Sequence, residues 1–73
     1  MDNEPNREVK ETLIGQELML WRNTLYQQQL RYRVNKKIGA GDAILKAIEA
    51  EMVKCEAAID MLEKELKTLE PSE

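Results

Sequence analysis

The chain contains no histidine and no phenylalanine, and only one cysteine, two prolines and three glycines. Each absence excludes something. Without histidine there is no neutral imidazole to ligate a metal or to shuttle protons near neutral pH. A lone Cys55 permits no intrachain disulfide and no Cys-x-x-Cys pair, so a structural zinc site is not expected. No unbroken apolar run exceeds Leu18-Met19-Leu20-Trp21, far short of the ~20 residues that span a bilayer. The start, Met1-Asp2-Asn3-Glu4, is acidic and lacks the apolar stretch of a signal peptide. The expectation is a cytoplasmic protein with no membrane association, no metal and no cofactor.

What is present favours helix. The two prolines, Pro5 and Pro71, leave the whole stretch between them free of the strongest helix breaker. Charged residues make up 34% of the chain and hydrophobic residues 42%, which is not the composition of a disordered segment. The Gly39-Ala40-Gly41 stretch is the strongest internal break. Helix 1 is expected over about residues 5–38, with Asn3 or Glu4 as its cap and Pro5 in its first turn. Helix 2 is expected over about 43–70, capped by Asp42 and closed by Pro71.

A strict heptad runs through helix 2. Leu45, Ile48, Met52, Cys55, Ile59, Leu62, Leu66 and Leu69 alternate in steps of three and four, and Glu49, Glu56, Glu63 and Glu70 repeat beside them. Such a seam must face another helix. Its partner can be found in the same chain. With the turn centred on residue 40, the seam opposes Asn35, Tyr32, Gln28, Leu25, Trp21, Leu18, Ile14 and Glu11. This register sets Arg22, Gln29 and Lys36 on the flank of Glu49, Glu56 and Glu63, brings Arg31 near Glu51, and sets Ile38 near Ile44. By segment, residues 1–17 carry −3, residues 18–41 carry +5 and residues 42–73 carry −5. Antiparallel folding therefore lays a basic stretch on an acidic helix.

The expected architecture is all-α: one domain over residues 1–73, built as a two-helix antiparallel hairpin resembling a coiled coil. A chain of 73 residues buries only about 60% of its unfolded surface and is marginal alone. Helix 1 also has more apolar residues than its seam uses. Val9, Leu13, Leu20, Leu30, Val34 and Ile38 fall on the opposite side, with Met19 and Tyr26 beside them. A helix apolar on both sides is an inner helix. The expected assembly is a four-helix bundle or larger helical oligomer, with a homodimer through those six residues favoured. Alanines 47, 50 and 57 on helix 2 offer a further close contact, but read more simply as helix formers on a wet face.

Candidate chemistry is sparse. Arg31, Arg33, Lys36 and Lys37, interleaved with Tyr26 and Tyr32 and followed by no acid before Asp42, form a possible phosphate-binding stretch. The simpler reading is that Arg22, Arg31 and Lys36 pair with helix 2 glutamates, which leaves Arg33 and Lys37 without intrachain partners. The Gly39-Ala40-Gly41 segment lacks the preceding strand and the spacing of a phosphate loop and reads as a turn. The carboxylates of helix 2 read as a solvated face, and no set of residues points to catalysis. The function expected is therefore non-enzymatic: a self-associating helical module for protein–protein interaction, of adaptor, regulator or inhibitor type, with a protein partner. The alternative is a binder of a phosphate-bearing ligand (RNA, DNA or a nucleotide) through the basic stretch.

Overall fold

A computed structural model describes residues 5–69. Two helices account for most of them: α1, Arg7–Lys37, and α2, Asp42–Thr68. They pack against each other as an all-α hairpin, with no strand among the described residues.

The start of α1 departs from expectation. Asn6 is the cap: its side chain accepts the Val9 backbone N–H at 2.9 Å, and its own backbone is extended. Pro5 therefore precedes the cap rather than entering the first turn. Asparagine satisfies one of the four unpaired N–H groups of the first turn, which a proline cannot do. The expected caps Asn3 and Glu4 lie outside the described residues, as do Glu70 and Pro71 at the other end.

The turn is set by Gly39, whose φ of 79° makes it the one glycine in the left-handed region. Gly39 N–H donates to Lys36 O at 3.2 Å and Ala40 N–H to Asn35 O at 2.9 Å. That pair of bonds, one spanning three residues and one spanning five, is a Schellman closure of α1, and it requires a residue that tolerates positive φ. Chain reversal is then complete within Ala40 and Gly41. Gly41, not Asp42, is the cap of α2, and it makes no side-chain cap bond. Asp42 sits inside the first turn instead, where its carboxylate still complements the positive end of the helix.

The expected seam is the packed seam. Ile48 and Cys55 are buried and Leu45, Met52, Ile59, Leu62, Leu66 and Leu69 are half-buried. From α1, Leu18 is buried, while Ile14, Trp21, Leu25, Gln28, Tyr32 and Asn35 are half-buried. Cys55, at 1% exposure, is the centre of this narrow core. Glu11 is the exception. It is exposed and takes Arg7 at 3.0 Å on its own helix, so the seam ends near Ile14. Asn35 also turns back on its own helix, donating to Arg31 O at 2.8 Å rather than reaching across.

The hairpin is long and thin, 55 × 21 × 18 Å. Its radius of gyration is 16.7 Å, against about 11 Å for a compact domain of this length.

Candidate interaction surface

The flanks of the seam show where the charges go. Arg22 Nη2 meets Glu63 Oε2 at 2.8 Å across the hairpin. Lys36 does not reach a glutamate. Its ammonium lies 5.8 Å from the centre of the Tyr32 ring, a cation–π geometry on the same helix. The Tyr32 hydroxyl is held above its ordinary pKa, first by its hydrogen bond to Glu49, then by desolvation and by the charges of Glu49 and Asp42. Glu51, expected near Arg31, takes Lys54 at 3.3 Å within α2. A second pair on α2, Lys64 with Asp60, measures 3.0 Å. These pairs stand mostly in water and choose orientation more than they add stability.

The four basic residues singled out by sequence thus divide. Lys36 is engaged with Tyr32. Arg31, Arg33 and Lys37 have no ion pair among the described residues. Arg33 borders a shallow hollow of about 320 Å³ with Gln29, Tyr32 and Met52. The basic stretch therefore presents a mostly unpaired cationic surface near the turn, with one aromatic ring beside it.

The second stripe of α1 is the larger feature. Val9, Leu13, Leu20, Leu30, Val34 and Ile38 are all exposed, from 40% at Leu30 to 72% at Ile38. Met19 and Tyr26 are exposed beside them. The reason lies in geometry: α2 is a single helix, and one helix covers only one side of α1. No family model, curated protein or solved structure matches the chain. What the surface can do must be read from its chemistry.

The exposed apolar surface continues beyond the expected stripe onto α2. Ile38 and Ile44, expected to face each other, are both more than half exposed, which leaves an apolar patch at the turn. Val53 and Met61 on α2 are exposed as well. Their sequence signal is weak, because isolated apolar residues on a charged face are common on wet surfaces. Among the described residues no helix is long and apolar enough to cross a membrane, and no group of three or more Cys, Asp or Glu is placed to hold a metal.

The extent of exposure is unusual for the size. The chain exposes 6012 Å² at a mass of 8.5 kDa, about 1,400 Å² more than a compact monomer of that mass. A standard protein interface takes about 800 Å² from each partner.

Proposed function

We propose that the protein is a non-enzymatic helical module that self-associates through α1 and acts by protein–protein contact, as an adaptor, regulator or inhibitor does. The observation that carries this reading is the exposed apolar stripe of α1 opposite the packed seam. Burying five or six aliphatic side chains stabilises by roughly 1.5–3 kcal/mol each. That is a large term beside the 5–15 kcal/mol that typically holds a domain together. A hairpin whose own core contains three buried side chains, Leu18, Ile48 and Cys55, has strong reason to use it. In a homodimer with α1 innermost, the two α2 helices form the outer layer and their charged faces meet water. The exposed apolar residues of α2, Ile44, Val53 and Met61, then remain for a protein partner.

Sedimentation equilibrium at micromolar concentration tests the self-association. The expected result is a dimer that Leu20→Glu dissociates, because a carboxylate cannot be buried unpaired. A stable, fully helical monomer in the unmodified protein overturns it.

A second reading rests on one specific observation, that Arg31, Arg33 and Lys37 have no ion pair among the described residues. On that reading the basic end of the hairpin binds phosphate groups of a nucleic acid or nucleotide. Binding of a labelled oligonucleotide should then fall steeply with salt and be weakened by Arg33→Glu. An apolar interface responds to neither.

A further inference from the structure

The exposed face of α1 has a heptad of its own. Val9, Leu13, Gln16, Leu20, Asn23, Gln27, Leu30, Val34 and Lys37 follow one another in steps of four and three without interruption. All nine are exposed in the hairpin. This row lies roughly 150° around the helix from the seam that packs on α2, at 3.5 residues per turn. It is a second seam with five apolar positions of nine, and among the described residues nothing is seated on it.

Resting on the self-association proposed above, we infer that this seam pairs with itself in antiparallel orientation, about a two-fold axis between Trp21 and Arg22. In that register each residue faces the one whose number brings the pair to 43. Val9 meets the partner subunit's Val34, Leu13 meets the partner subunit's Leu30, and Gln16 meets the partner subunit's Gln27. Leu20 and the partner subunit's Asn23 lie next to the axis. Apolar positions face apolar ones at both ends, and the two amides face each other in between, where they can exchange hydrogen bonds. The two position classes of the heptad also oppose each other at every level, as an antiparallel pair requires.

Neighbouring registers fail this comparison. A shift of one heptad toward the turn seats Leu20 on Leu30 but puts Leu13 on Lys37 and Gln16 on Val34. A shift the other way puts Val9 on Gln27, Leu13 on Asn23 and Gln16 on Leu20. The favoured register also gives nearly complete overlap, since the axis falls close to the midpoint of α1, Arg7–Lys37.

Charge disfavours the parallel alternative, in which every residue would meet its own copy. Within α1 the described residues up to Glu17 carry a net −1 and those from Leu18 onward carry +5. A parallel pair lays +5 on +5 and Lys37 on Lys37. The antiparallel pair lays the basic end on the acidic end and brings Glu17 within reach of the partner subunit's Arg31. One flank pair, Lys10 with the partner subunit's Arg31, is like-charged, but it stands at the rim where water and salt screen it.

Two further features fit the axis. Met19 and the partner subunit's Tyr26 fall level with each other beside the seam, which covers two of the most exposed apolar side chains of α1 at once. A shallow hollow of about 310 Å³, lined by Glu17, Leu20, Trp21 and Thr24, lies next to the axis, where a side chain from the second copy can enter.

Thiol exchange in a glutathione redox buffer tests the orientation. Val9→Cys and Val34→Cys are prepared as separate full-length chains, with the unmodified protein as control because Cys55 is 1% exposed. Both changes are on exposed positions, so the hairpin keeps its helicity, which circular dichroism checks. The expected result is a disulfide-linked heterodimer in the mixture and no link in either chain alone. Linkage of Val9→Cys to itself, or absence of the heterodimer from a protein that sediments as a dimer, overturns the inference and leaves self-association standing. A monomer by sedimentation overturns the self-association on which it rests. A second pair of variants reads the amide level. Gln16→Lys with Gln27→Lys should lose the dimer, whereas Gln16→Glu with Gln27→Lys should keep it. The opposite order overturns the antiparallel register.

Discussion

Arg22 and Glu63 meet at 2.8 Å across the hairpin, 41 residues apart in sequence. Their pairing ties the basic middle of α1 to the acidic row of α2, and it is a direct reading of which way the helices run. Both side chains are about half exposed, 56% and 50%, so the pair contributes at most about 1 kcal/mol. Arg22→Ala should therefore lower stability only slightly in chemical denaturation, by less in high salt than in low salt. Exchanging the charges, with Arg22→Glu and Glu63→Arg together, should recover what either change alone loses.

The core gives a sharper expectation. Cys55 is 1% exposed and sits at the centre of the seam. Its thiol should resist a thiol reagent in the folded protein and react at once in denaturant. Cys55→Ser buries a hydroxyl with no planned partner and should cost about 1–3 kcal/mol. If Cys55→Ser left the denaturation midpoint unchanged, the seam would not be packed as described.

The three glycines separate by backbone. Gly39 has φ of 79°, and Gly15 stands mid-helix with nothing within 4 Å of the position a Cβ would take. Gly39→Ala should destabilise by about 1–2 kcal/mol, the cost of left-handed backbone for a residue with a Cβ. Gly15→Ala should stabilise by up to about 1 kcal/mol, because alanine restricts the unfolded chain and favours helix. Gly41→Ser should gain a few tenths of a kcal/mol by supplying the missing cap. Thermal melts of the three variants give the order directly.

Tyr32 offers a test in alkaline solution. Its pKa is raised, chiefly by hydrogen bonding to Glu49. A raised folded pKa means that the contact stabilises the fold fully below the ordinary tyrosine value of 10.0 and that this contribution is lost as pH rises through the folded value. Glu49→Gln should lower the Tyr32 midpoint, followed by phenolate absorbance, and should shift the alkaline loss of helicity to lower pH.

Much of this architecture is legible in the chain. The α2 heptad, the break at Gly39-Ala40-Gly41 and the absence of internal proline fix two helices and their seam, because period and backbone tolerance are local properties. The boundary errors were also local: Asn6 rather than Asn3 or Glu4 caps α1, and Gly41 rather than Asp42 caps α2. Several polar residues within one turn compete for each cap, and sequence pattern alone does not rank them. The flank assignments were less legible. Lys36 takes the Tyr32 ring and Glu51 takes Lys54, since long side chains settle on the nearest partner and that is a matter of rotamer and distance.

The sequence by itself determined that α1 carries apolar residues on two sides and α2 on one. Only the tertiary structure decided which side was consumed. Packing α2 on Leu18, Trp21 and Leu25 leaves Val9, Leu13, Leu20, Leu30 and Val34 in water, because one helix buries one face of its neighbour and a two-helix hairpin has no third element to cover the other. The uncovered seam is thus a consequence of how few elements the described residues form, and it is the surface on which the proposed self-association rests.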